Sequence, residues 1–172
     1  MTESAILSFY RGTGTDHAGR TFDDILTWDN RRLEMVHDYI QWLFPLPEPS
    51  RFNPEAPLLS PVDIGEFRAD PSLRARVLAA LDLMLGFLGF TRASGNITRV
   101  KNFPERSANW LDAANHNHLR LTRILLFLGH VGLTDEAESL QVCLEDVAAR
   151  EGRDVISTRT LSFWRDAVKS RR

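Results

Sequence analysis

The stretch from His37 to Leu59, HDYIQWLFPLPEPSRFNPEAPLL, constrains the fold more than any other part of the chain, because it begins in a helical pattern and ends in closely spaced prolines. Asp29 is placed to cap a helix, and the residues from Asn30 to Phe44 follow a helical wheel at about 100° per residue. Leu33, Val36, Ile40, Leu43 and Phe44 gather on one side, and Met35, Tyr39 and Trp42 form a second stripe beside them. A surface helix carries one apolar stripe roughly 100° wide. A helix with two is therefore expected to be central and packed on two sides. Its remaining polar residues, Asn30, Glu34, His37, Asp38 and Gln41, form a narrow wedge. Pro45 ends the helix, and Pro47 and Pro49 hold the exit in an extended, polyproline-like strap with little entropy left to lose.

The rest of the chain reads as further helices around this one. Ser4 to Tyr10 forms a short apolar anchor, and Thr21 caps a two-turn helix with Asp23 and Asp24 in its first turn. Between them, RGTGTDHAGR (Arg11 to Arg20) reads as a flexible loop; it neither follows a strand nor carries the Lys-Ser/Thr that a phosphate loop needs. Ser60-Pro61 and Asp70-Pro71 each start a helix. The second runs to Leu88 and is apolar from Val77 onward except for Asp82 and its glycines, which predicts a buried helix. Asp82 then needs either a gap open to solvent or a cation, because an unpaired buried carboxylate costs several kcal/mol. Thr91 to Asn102 reads as a polar linker, with no alternation long enough to predict a strand. Pro104 opens a helix through Trp110 and Leu111, and a longer one continues to Val131; Thr134 caps the next, and Ser157 to Lys169 is the last. The expected fold is all-α, a single globular domain over 1–172 with about seven helices around the central helix and its strap.

Charge and composition exclude several classes. A net charge of −2 with 26% charged residues argues against a broad nucleic-acid-binding face. The one cysteine, Cys143, allows no disulfide within the chain and falls in an apolar helical pattern, which fits a reduced compartment, the cytoplasm or the nucleus. The N-terminus lacks the basic and apolar regions of a signal peptide, and no segment is long and apolar enough to span a bilayer. The basic end, Lys169 to Arg172, reads as a solvated terminus.

Within the helix leading to Val131, His116, Arg120, Arg123, Phe127 and His130 share one stripe, with Asn117 adjoining, while Leu121, Ile124, Leu125, Leu128 and Val131 supply the apolar faces. Two guanidiniums on so apolar a helix require carboxylates or an anionic ligand. The wedge and the stripe are expected to face each other. Two arrangements satisfy them. One is an interhelical lock of protein ion pairs; the other is a pocket in which Arg120 and Arg123 hold a carboxylate or phosphate and His37, Asp38, Gln41, His116 and Asn117 line the rest. A small-molecule enzyme would use the same pocket with His37 or His116 as general base. No zinc-binding motif, i, i+4 histidine pair or nucleophile motif is present, so neither a metal, a cofactor nor catalytic residues are assigned.

Three segments carry a resemblance. FYRG at Phe9 to Gly12, the His37 to Leu59 stretch and HNHLRLTRIL at His116 to Leu125 closely resemble the conserved domain of the opioid growth factor receptor family, and the similarity runs from about Phe9 to about Leu144. The resemblance implies an α-helical domain and, for vertebrate members, binding of a small opioid peptide and growth regulation in the nucleus and cytoplasm. Those members carry long repetitive C-terminal tails, whereas this sequence ends at Arg172, which is the expectation for a short, tail-less member. The resemblance favours the binding pocket, with a small peptide or small anionic molecule as ligand and a protein partner as a further possibility; oligomeric state is left open.

Overall fold

Side-chain caps at Thr21, Asp29 and Ser60 start helices where the sequence places them, and Ser4 caps the first helix. The fold, taken from a computed structural model that describes residues 3–169, begins with α1 (Ala5–Arg11), whose Leu7 N–H is accepted by Ser4 Oγ at 3.1 Å. Thr21 and Asp24 exchange bonds in a capping box at α2 (Phe22–Leu26), and Asp29 caps α3 (Asn30–Met35). Ser60 and Asp63 repeat the box at α5 (Pro61–Ala69), with Pro61 in the first turn, where a missing N–H costs nothing. α6 spans Pro71–Leu88. The end of the basic tail, Ser170 to Arg172, lies outside the described residues.

The chain divides into two compact units, Met1–Leu83 and Met84–Arg172. In the first, an aromatic cluster forms the core. Phe9 meets Phe22 at 5.6 Å and Trp42 at 5.4 Å between ring centroids, and Tyr10 meets Phe22 and Phe67 at 4.8 Å each. Tyr10 is fully buried and its hydroxyl donates to the Leu43 carbonyl; burial pushes its ionisation well above the ordinary tyrosine range.

The single long helix expected over Asn30 to Phe44 is instead two short ones, α3 and α4 (Ile40–Leu43), separated by Val36 in an extended conformation. The physical reason is visible at Leu33. In a continuous helix its carbonyl would accept the N–H of residue 37, but here the buried Tyr39 hydroxyl donates to it at 3.0 Å. Met35, placed by the wheel on a buried stripe, is consequently exposed. After α4 no helix forms until Pro61. Leu46 and Leu59 are buried in that segment and joined by a Leu59 N–H to Leu46 carbonyl bond of 3.0 Å.

In the second unit, the expected linker after α6 is a β-hairpin, β1 (Phe90–Ala93) with β2 (Asn96–Arg99), paired from Phe90↔Arg99 to Ala93↔Asn96. Ser94 (φ 50°) and Gly95 (φ 80°) form its two-residue turn, with both positions in the left-handed region as a tight hairpin requires. Just before it, Gly89 (φ 95°) has no room for a side chain, since a Cβ would lie 2.8 Å from Arg106 Cβ. α7 (Phe103–Ser107), α8 (His116–His130), α9 (Thr134–Arg150) and α10 (Thr158–Lys169) follow, with α8 packed on α9 and α10. Ser139 Oγ of α9 accepts the Ile97 N–H of β2 at 2.8 Å, so the strand's outer edge is covered. Phe90, Phe103 and Trp110 cluster beneath, and the Trp110 indole donates to Leu88 O at 2.8 Å.

The fold is thus helical, as expected, but with ten helices among the described residues instead of about seven, plus one hairpin. Asp82 is exposed, on a solvent stripe of α6 with Ala75 and Gly86, so the acid in this apolar run sits in water and the helix is not buried all round. No helix among the described residues is long and apolar enough to cross a membrane.

Candidate functional site

The break between α3 and α4 decides where the wedge residues go. His37 and Asp38 lie in the connector and Gln41 on α4, so they do not share one helical face. His37 is exposed. Asp38 turns to the Arg11–Arg20 loop, where its Oδ1 accepts Arg20 Nη2 and its Oδ2 meets His17 Nε2, both at 2.9 Å. Burial raises the Asp38 carboxyl, but the hydrogen bond and charge of Arg20, aided by His17, more than offset this and hold it below the ordinary carboxylate range. The Trp42 indole N–H donates to the other ring nitrogen, His17 Nδ1, at 3.1 Å. Since an indole only donates, Nδ1 is an acceptor and Nε2 carries the proton shared with Asp38.

The loop itself is held from inside. The Asp16 side chain is fully buried; Oδ1 accepts the N–H groups of Ala18 and Arg20 at 2.9 Å each, and Oδ2 accepts Arg20 Nε at 2.5 Å. Sequence reasoning made this segment a flexible loop. A short aspartate turn, with Asp16 two and four residues before its backbone donors, was the signal present. His17, Arg20 and Asp16 are the polar partners it missed.

Gln41 is 6% exposed, and its Oε1 is buried with no hydrogen-bond partner among the described residues. Buried amide oxygens are nearly always satisfied, and leaving one unmade costs about 1–3 kcal/mol. The oxygen is thus left without a protein donor among the described residues.

In the second unit, α8 carries His116, Asn117, Arg120 and Arg123 together on one helix, as the spacing predicts. Asn115 caps it, its Oδ1 accepting the Asn117 N–H at 2.8 Å. Asn117 and Arg120 are buried, and Arg120 Nη1 donates to Asn117 Oδ1 at 3.2 Å; His116 and Arg123 are half-buried. His118, not singled out by the stripe, is a structural node. Its Nε2 donates to the Trp110 carbonyl at 2.9 Å, its ring lies edge-on to Trp110 and Trp164, and burial depresses its ionisation, although the Trp110 carbonyl acts the other way.

Among the described residues no group of three or more His, Cys, Asp and Glu side chains is arranged to hold a metal ion. A cavity of about 1040 Å³ lies in the second unit between the hairpin and α9; Arg99 crosses its wall to Asp146 at 2.7 Å, and burial pushes the Cys143 thiol up.

A family model described as the opioid growth factor receptor conserved region matches residues 2–172. The chain is 36% identical over 173 residues to the opioid growth factor receptor of Rattus norvegicus, covering 96% of this chain and 30% of that protein. With the Homo sapiens receptor it shares 36% identity over 96% of this chain and 25% of the relative. Opioid growth factor receptor-like protein 1 of Xenopus tropicalis is 40% identical over 119 residues, 66% of this chain and 23% of that protein. The chain thus spans no more than 30% of the length of these relatives. No solved structure matches it.

Proposed function

The chain belongs to the opioid growth factor receptor conserved-region family, and from that premise we propose that it is a ligand-binding module for a small peptide or small anionic molecule, with a receptor or signalling role. Gln41, with His37 and Asp38, and the α8 residues His116, Asn117, Arg120 and Arg123 are the candidate ligand contacts, each set to be tested by itself. The observation that carries the reading is the buried Gln41 Oε1, which has no hydrogen-bond partner among the described residues. A peptide N–H is the donor such an oxygen accepts, and binding would recover the cost of burying it unpaired. In the second unit, taken by itself, the guanidiniums of α8 offer a different chemistry, because arginine holds carboxylates and phosphates through paired, charge-assisted hydrogen bonds.

The test is a melting-shift screen of opioid-type peptides, nucleotides and organic acids against the wild type and Arg123→Ala, the variant first shown to be folded by circular dichroism. A ligand at 100 times its dissociation constant stabilises the fold by about 2.7 kcal/mol. The reading expects one ligand class to raise the wild-type melting temperature; loss of that rise in Arg123→Ala assigns the ligand to the α8 set, and its loss in Gln41→Leu assigns it to the Gln41 set. It fails if no class shifts the wild type.

A further inference from the structure

A second recognition surface is present in the first unit, and it uses none of the seven residues above. At the start of α3 a depression of about 520 Å³ is lined by Trp28, Asp29, Arg31, Arg32, Met35 and Val36. Its chemistry is uneven in an informative way. Met35 is 66% exposed at the last position of α3, left in water by the same helix break that frees the connector, and Val36 beside it is half-buried. Arg31 and Arg32 are both exposed and neither forms an ion pair among the described residues, in contrast to Arg11, Arg20, Arg76 and Arg99, which all do. The one carboxylate in the wall, Asp29, is already engaged as the cap of α3, accepting the Arg32 N–H at 2.8 Å. Trp28 makes the wall rigid: it is 7% exposed, edge-on to Tyr39 at 5.3 Å, with the Arg32 guanidinium 4.3 Å and the Arg20 guanidinium 5.4 Å from its ring.

Two exposed guanidiniums without a carboxylate ion pair among the described residues, beside an exposed methionine and on a wall built around a tryptophan, are the residue types enriched where proteins bind proteins. The geometry points to a docking surface for an acidic peptide segment of a protein partner, its carboxylates paired with Arg31 and Arg32 and an apolar side chain placed on Met35 and Val36. The charge of the two arginines selects an acidic occupant over a basic one. Nucleic acid fits less well. Single strands bind through open aromatic faces, and the Trp28 ring is already engaged by two arginines, on a chain of net charge −2.

The experiment selects peptides from a random display library on the intact chain and measures the enriched sequences by fluorescence anisotropy, with oligothymidylate as a separate probe. The surface predicts enrichment of peptides that combine acidic and apolar residues. It also predicts at least about tenfold weaker binding to Arg31→Glu/Arg32→Glu. Met35→Asp, an exposed position with no packing role, is expected to weaken binding as well, so a folding defect from loss of the Arg32–Trp28 contact would not hide the result. The inference is overturned if no acidic peptide is enriched, if binding is unchanged in both variants, or if oligothymidylate binds at this face in place of peptide.

Discussion

The Trp42 indole donates its N–H to His17 Nδ1 over 3.1 Å, joining α4 to a loop 25 residues earlier and fixing the imidazole so that its other nitrogen faces Asp38. The same indole packs on Phe9 at 5.4 Å, so one side chain serves both the aromatic core and the polar network above it. Trp42→Ala is expected to cost about 3–5 kcal/mol, the range for a large buried aromatic. Trp42→Phe keeps a ring and forfeits the hydrogen bond, and is expected to cost clearly less, about 1–2 kcal/mol. Urea denaturation of the two variants checks this; an alanine variant as stable as the wild type would remove Trp42 from the core.

Asp16 predicts a second loss. Its buried carboxylate accepts three N–H groups of the Arg11–Arg20 loop, from the Ala18 and Arg20 backbone and Arg20 Nε. Asp16→Ala is expected to destabilise by about 2–4 kcal/mol and to raise amide hydrogen exchange at Ala18 and Arg20, because it leaves both backbone donors and Arg20 Nε without their acceptor, although Arg20 Nη2 keeps Asp38. Exchange rates that stay at the wild-type level would show that the loop is held by something else.

Much of this order was legible in the sequence, and the exceptions have local causes. Thr21, Asp29 and Ser60 cap where their side chains predict, because a cap depends only on residues within one turn, but Thr134 does not: it is the first residue inside α9, with Leu133 at the cap position and no side-chain cap bond. The spacing of His116, Asn117, Arg120 and Arg123 likewise holds, since all four lie inside one continuous helix. The break at Val36 was not legible. It depends on the Tyr39 hydroxyl reaching back to the Leu33 carbonyl, and a wheel drawn through Asn30 to Phe44 assumes that carbonyl is already used by the helix. That is why Met35 was expected inside and Asp38 was not expected to meet His17 and Arg20. The hairpin was missed because four-residue strands are too short for alternation to register, although Ser94-Gly95 carried the turn signal.

His118 makes stability depend on pH with a definite sign. Burial favours its neutral form in the folded chain, so its folded value lies below the ordinary 6.5. Below pH 6.5 the unfolded chain therefore binds the proton first, and stability falls as pH falls, until the folded histidine also titrates. Above that range His118 contributes no slope. Melting temperatures measured from pH 8 to pH 5 should decline on the acid side, and the decline should be shallower in His118→Gln. Identical slopes in the two proteins would contradict the assignment.

Ala114 occupies the left-handed region at φ 57°, just before the Asn115 cap of α8. A side chain there is strained by about 1 kcal/mol, which glycine avoids. Ala114→Gly is therefore expected to leave stability unchanged or raise it by up to about 1 kcal/mol, whereas Ala113→Gly, a residue away, gains no such relief. A clear destabilisation by Ala114→Gly in thermal melts would show that the strain is not there.

The most direct test of the ligand-binding account is the melting temperature of Gln41→Leu, measured without ligand and with the best ligand of the screen. If Oε1 is kept buried and unpaired for a ligand, an apolar side chain of similar size removes the cost of burying it, and the ligand-free variant should melt at or above the wild type. The same variant should lose most of the ligand-induced shift. A Gln41→Leu protein that melts lower without ligand and keeps the full shift would contradict the account, since the amide would then serve the fold and not a ligand.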